Sequence, residues 1–428
     1  MRVVVLGGGS TGEHFVGALR RLDRDAELTL VERRLVGGEC SYWACMPTKT
    51  MLRSPEVLAA ARHAPGVAAG GLDAAEVFRW RDAVAERDDA SQVEWLESMG
   101  CALVRGDGVV AEPGLVRVGR RELPYDRLVI ATGSSPVVPP VAEGLGHWTN
   151  REATEATEVP GRLLVLGGGP VGCELAQFFA RAGSAVTLVQ SAERLLPRVD
   201  ADAAALVLAA LEADGVDVRV GATAERAGGG LSLAGEPLAF DRLLVATGRR
   251  ANVEGLDALG LRISRRGVEV DERMRASENV WAIGDVTGIA PFTHVGKYHA
   301  RVAAYDVAGR PARADHRAVP ATVFTDPQVA TVGTLDGLVA SWPLTSTPRL
   351  STYERPRREG FVKVAADPER RVLTGAVAVG PEAGEWLQQL TVAIRAEVPV
   401  ETLLDVIPPY PTFNEAVFYA VRELGLDL

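Results

Sequence analysis

One pattern occurs twice in this chain and restricts its fold more than any other feature. A short apolar run, Val3–Leu6, leads into the turn Gly7–Gly12 (GGGSTG), then into residues of helical composition from Glu13 to Arg21, then into Leu28–Val31 and Glu32. The same order returns as Leu163–Leu166, Gly167–Gly172 (GGGPVG), Cys173–Arg181 and Val186–Val189, ending at Gln190. Strand, glycine turn and helix in this order form a dinucleotide-binding βαβ unit. The first glycine of each turn allows the tight bend, the second lets a pyrophosphate approach the backbone, and the third lets helix pack on strand. Gly7, Gly9 and Gly12 are therefore one candidate cofactor set, and Gly167, Gly169 and Gly172 another.

The residue closing each unit differs. Glu32 can accept hydrogen bonds from the ribose hydroxyls of an adenine dinucleotide, whereas Gln190 neither holds a free 2′-hydroxyl strongly nor repels a 2′-phosphate. With Arg194 or Arg198 available for a phosphate, the second site admits NADPH and slightly favours it over NADH. Strands ending in Ala-Thr-Gly close the two units, so Thr132, Gly133 and Gly248 join the candidate cofactor residues. Prolines 136, 139 and 140 and the polar stretch 150–158 mark a boundary, and Asn279–Ile283 with Gly284-Asp285 reads as a return to the first unit. The expected division is 1–146 with 272–317, 147–271, and a separate tail 318–428 with no third fingerprint. The fold class is α/β, with two Rossmann-like domains followed by an α+β domain.

Composition removes other classes. With 46 basic and 56 acidic residues the net charge is −10, which lacks the electrostatic footprint of a nucleic-acid binder. No apolar run reaches membrane-span length, and MRVVVLGGGSTG does not resemble an export signal, so a cytoplasmic protein is expected. Four cysteines in 428 residues cannot make a disulfide scaffold. Cys101 and Cys173 stand in apolar settings and read as small buried residues. Cys40 and Cys45 instead sit in GGECSYWACMPTK, before a helical run from about Thr48 to His63, with Lys49 nearby. A helix dipole and a positive charge stabilise a thiolate, as redox work requires. No second Cys or His pair completes a four-ligand metal site.

Taken together, GGGSTG with Glu32, GGECSYWACMP, ATGSSP, GGGPVGCE, ATGRRAN, NVWAIGDV, VFTDPQVATVG and PYPTFNE resemble the class I pyridine nucleotide-disulfide oxidoreductases, in that family's order and over essentially the whole chain. The resemblance implies FAD in the first unit, with Asp285 on its ribitol chain and the backbone near Thr293 along the ring. It implies NAD(P)H in the second unit and a Lys49–Glu174 ion pair beside the flavin. It makes Cys40–Cys45 a redox-active disulfide, with Cys45 on the flavin side and Cys40 as the interchange thiol. The tail becomes a dimerisation domain, so a homodimer is implied.

The chain departs from the family in several places. Tyr410 stands where disulfide reductases of the family carry a histidine, although the Glu that holds that histidine remains as Glu415. A phenol of pKa about 10 is a poor base near neutrality but can donate a hydrogen bond or a proton. Tyrosine at this position is similar to mercuric reductases, yet the cysteine pair those enzymes carry near the C-terminus is missing. Trp43 and Ala44 between the cysteines are expected to reshape the substrate side, and Pro170 replaces an aromatic that covers the nicotinamide pocket in many members. The expected function is electron transfer from NAD(P)H through FAD and the disulfide to a small disulfide, a metal ion or another small-molecule acceptor. Two alternatives are a diaphorase whose flavin reduces quinones or dyes directly, and a non-catalytic flavoprotein redox sensor.

Overall fold

The computed structural model describes residues 1–426 and contains two compact units. The first comprises Met1–Pro47, Asp82–Val137 and Gly248–Asp315. Its six-stranded sheet runs in the order Arg275–Ser277, Val280–Ala282, Arg127–Ile130, Arg2–Leu6, Glu27–Glu32, Cys101–Arg105, parallel except at the Arg275–Ser277 edge. Alternation along Arg2–Leu6 explains how both faces are covered. Val3 and Val5 join the apolar cluster formed with Phe15, Val16 and Leu19 of helix Ser10–Leu22 and Ala300 and Ala303 of helix Thr293–Val307. Val4 and Leu6 point the other way, toward Val110, Val116 and Val118 of the antiparallel strands Gly108–Glu112 and Leu115–Val118. An uninterrupted apolar strand is what a sheet buried on both sides requires.

The second unit comprises Thr48–Arg81, Val138–Thr247 and the chain from His316 on. A four-stranded parallel sheet, ordered Asp217–Arg219, Ala185–Val189, Arg162–Leu166, Arg242–Val245, supports helix Pro170–Arg181, whose Phe178 and Phe179 are fully buried. Pro170 opens that helix, where its missing N–H costs nothing. The tail forms a five-stranded antiparallel sheet, Pro320–Val323, Gln328–Gly333, Val372–Gly380, Phe361–Asp367 and Leu338–Pro343, with helices Gln388–Ala396 and Asn414–Arg422 packed on it. The α/β class with a distinct α+β tail is as the sequence leads one to expect.

Candidate functional site

In the first unit the glycine turn and the cysteine segment are joined directly. Gly37 N donates to Gly8 O at 2.8 Å, and Gly38, at φ +71°, comes so near Gly9 that a Cβ there would fall 2.6 Å from its Cα. Gly38 is therefore a steric requirement of this approach, while Gly37, at φ +108°, would bring a Cβ to 3.1 Å from the Tyr42 ring. Cys40 lies in the short helix Gly38–Tyr42 and Cys45 is the first residue of helix Cys45–His63, three residues earlier than the expected start. The two are joined as a disulfide with Cα atoms 4.7 Å apart, and both are partly exposed. Tyr42 and Trp43 are buried at 2% and 7% exposure, and the Tyr42 hydroxyl donates to Val36 O at 2.7 Å. Both rings are thus turned away from solvent into the protein interior.

Thr293, first residue of helix Thr293–Val307, places its hydroxyl 3.0 Å from Cys40 Sγ and 3.5 Å from Cys45 Sγ. Sequence reading assigned this position to cofactor contact and missed the hydroxyl's contact with sulfur; about 250 residues of chain separate the groups, so no local pattern signals it. A second chain of contacts starts at Asp285. Ser134 donates to Asp285 Oδ2 at 2.7 Å, Arg249 donates to Ser134 Oγ and to its carbonyl at 2.8 Å each, and Arg249 also pairs with Glu39, next to Cys40. Thr132 donates to Asn252 O at 2.6 Å, and Asn252 returns a bond to Thr132 O at 2.9 Å, so the ATG turn is held from within the unit.

The residues of this turn fit a dinucleotide. A Cβ on Gly7 (φ +105°) would meet Ala131 O at 2.2 Å and one on Gly12 would meet Gly7 O at 2.1 Å, so these glycines are demanded by packing. Gly9 has only Gly38 Cα within 4 Å, at 3.9 Å, leaving its backbone open at the start of a helix. Glu32 Oε2 accepts from Gly8 N at 2.8 Å and Oε1 from Arg34 N at 2.7 Å.

In the second unit the same geometry recurs. Gly167 (φ +106°) and Gly172 are closed against Ala246 O and Gly167 O, while nothing lies within 4 Å of a Cβ on Gly169. Gln190 Oε1 accepts from Gly168 N at 3.0 Å and its Nε2 donates to Arg194 O at 3.4 Å. Arg194 is committed to the carbonyls of Val199 and Pro197, at 2.6 and 2.9 Å. On helix Pro170–Arg181, buried Glu174 accepts from Lys49 Nζ at 2.7 Å and from Phe324 N at 2.9 Å, and Lys49 lies 4.7 Å over the Phe324 ring. Gln177, one turn on, accepts from Asp326 N at 2.8 Å and donates to Asp326 O at 3.0 Å, fixing the segment that Glu174 caps.

Tyr410 is 74% exposed, whereas Glu415 is 6% exposed and its Oε2 has no hydrogen-bond partner among the described residues. Burial pushes the Cys101 and Cys173 thiols up to about 12, leaving Cys40 and Cys45 as the sulfur chemistry of the chain.

Two family models match, the pyridine nucleotide-disulphide oxidoreductase model over residues 1–310 and its dimerisation-domain model over 319–421. Dihydrolipoyl dehydrogenase 2 of Haloarcula marismortui is 33% identical, covering 98% of this chain and 95% of that protein. Mercuric reductase of Acidithiobacillus ferrooxidans is 34% identical over 100% of this chain and 83% of its own. Among solved structures, LpdA of Mycobacterium tuberculosis superposes with a TM-score of 0.89 at 26% identity, covering 99% of both chains. The HOCl-induced flavoprotein disulfide reductase RclA of Escherichia coli does so with 0.86 at 26% identity, also over 99% of both. With two open glycine turns, a disulfide joined to the first and matches spanning nearly its full length, the chain belongs to the FAD-dependent pyridine nucleotide-disulphide oxidoreductases.

Proposed function

We propose that this enzyme passes two electrons from NAD(P)H to a small thiol-reactive acceptor, a disulfide or a thiophilic metal ion, through the Cys40–Cys45 pair. The observation that carries this reading is the partly exposed disulfide joined by backbone contact to the first nucleotide turn. Bound FAD supplies the two-electron relay between nicotinamide and disulfide. Gly7, Gly9, Gly12 and Glu32 would hold its adenosine diphosphate part, and Thr132, Gly133, Asp285 and Thr293 the remainder. Gly167, Gly169, Gly172, Gln190 and Gly248 would hold the nicotinamide dinucleotide. Cys45 faces the cofactor and Cys40 the acceptor, while Glu174 fixes the Lys49 ammonium.

Arg194 is occupied by loop carbonyls, which weakens the grip on a 2′-phosphate and leaves Arg198 as the other candidate, so NADH and NADPH are used comparably. We assign FAD to 1–146 with 272–317, NAD(P)H to 147–271 and dimer contact to 318–428. The solvent-facing Val406, Ile407 and Tyr410, at 55, 91 and 74% exposure, support a homodimer formed through that last segment. Cytoplasmic placement is part of the proposal; no helix among the described residues is long and apolar enough to cross a membrane.

Tyr410 in place of a histidine favours acceptors that need little proton transfer, in keeping with the mercuric reductases among the relatives and a Cu(II) complex of RclA among the structural neighbours. Cys40→Ser tests the route. It should leave reduction of the bound flavin by NAD(P)H intact while lowering turnover with disulfide or metal acceptors by roughly 100-fold or more. Undiminished turnover would place the disulfide outside the circuit.

A further inference from the structure

We propose that the Thr293 hydroxyl is a catalytic hydrogen-bond donor that holds Cys40 as a thiolate once the disulfide opens, doing without a base what a histidine would do with one. This rests on the reading that Cys40 is the thiol that meets the acceptor.

Neither sulfur of a disulfide carries a proton, so the 3.0 Å contact with Cys40 Sγ and the 3.5 Å contact with Cys45 Sγ can be donated only by the Thr293 O–H. The hydroxyl is thus already placed where negative charge will develop. Two electrons from NAD(P)H break the S–S bond and leave two thiolates, NAD(P)⁺ and one released proton. The Thr293 proton stays on its own oxygen and is shared toward Cys40 Sγ. A hydrogen bond to an ionised acceptor is about twice as strong as one between neutral groups, so the contact favours thiolate over thiol. Thr293 also opens the fifteen-residue helix Thr293–Val307, whose N-terminal positive field acts in the same direction.

The charges next to the two cysteines in sequence are already paired. Glu39, beside Cys40, opposes a thiolate and is paired with Arg249. Lys49, one turn beyond Cys45 on its helix, is paired with Glu174. His294 and Lys297 lie on the Thr293 helix, and Glu13 and His14 on helix Ser10–Leu22, which packs against it. Tyr410, the residue in the histidine's place, is a phenol. The Thr293 hydroxyl reaches both sulfurs from one position.

The test uses FAD-loaded enzyme, reduced anaerobically with NADPH or NADH and alkylated with iodoacetamide from about pH 5 to 9, with Cys40 modification read by peptide mass spectrometry. Wild-type Cys40 should titrate below the ordinary thiol value of about 8.5. Thr293→Val should raise that midpoint by about one unit and slow alkylation at neutral pH roughly 10-fold, and Thr293→Ser should restore both. A wild-type midpoint at or above about 8.5, readable even if the valine variant does not fold, overturns the proposal. So does a valine variant with the wild-type profile. Preferential alkylation of Cys45 in the wild type would instead overturn the assignment of Cys40 as the interchange thiol.

Discussion

The two glycine turns share a backbone and diverge in side chains, at Ser10 against Pro170 and Thr11 against Val171 within the turn and at two positions beyond it. Gly7 and Gly167 have φ of +105° and +106°, each closed against the carbonyl of an ATG alanine, and the third glycine of each is closed against the first. At the strand end both units place a side-chain oxygen on the amide of the second glycine, from Glu32 at 2.8 Å and from Gln190 at 3.0 Å. The fold therefore asks only for an acceptor there, and charge is left free to set nucleotide choice. A further difference follows the third glycine: Glu13 in the first unit and Cys173 in the second.

The comparison breaks most visibly at the glycines. Gly172→Ala puts a Cβ 1.9 Å from Gly167 O and Gly12→Ala puts one 2.1 Å from Gly7 O, so each should lose about 3 kcal/mol or fail to fold, measured by thermal or denaturant unfolding. Gly169→Ala, with nothing within 4 Å, should unfold like the wild type while binding NAD(P)H more weakly, as read by titration. Equal tolerance at 169 and 172 would contradict the division between packing and ligand glycines.

Next in size, Gln190→Glu keeps the acceptor for Gly168 N and adds charge. Unfolding should be unchanged, while kcat/KM for NADPH should fall roughly 10-fold relative to NADH. Gln190→Leu should show the reverse, losing about 1–2 kcal/mol through an unpaired buried amide. A separate substitution, Tyr410→His, should raise turnover with disulfide substrates about 10-fold or more, and an unchanged rate would make the phenol a spectator.

The smallest effect is the pH dependence that Glu13 adds to the first unit. Burial pushes the Glu13 carboxyl up to about 7, with Lys297 opposing, so the folded state holds a proton that the unfolded chain releases near 4.5. The stability this gives is fully present below about pH 4.5 and is lost as pH rises through about 7. Glu13→Gln should flatten that slope and gain on the order of 1 kcal/mol at pH 8 in chemical unfolding. The Cys173 thiol, pushed up from 9.0 to about 12, adds a slope of the same sign only above about pH 9.

Much of this was legible because glycine requirements and strand alternation are local. GGGSTG and GGGPVG each sit between an apolar strand and an amphipathic helix in the sequence as they do in the structure. What was not legible depends on tertiary geometry. Nothing in the string shows that Ala131 and Ala246 lend their carbonyls to the first glycines, that Arg194 is spent on Val199 and Pro197, or that Trp43 turns inward. The helix at Cys45 begins three residues before the pattern does, since the residues of its first turn, Cys45-Met46-Pro47, carry no helical period of their own.

The most direct test of the disulfide route is an anaerobic titration of the purified protein with NADH and, separately, NADPH, following the flavin spectrum. Two electrons per flavin should produce a long-wavelength thiolate-to-flavin charge-transfer band with either nucleotide. Bleaching of the flavin with no such band would contradict a redox role for Cys40 and Cys45.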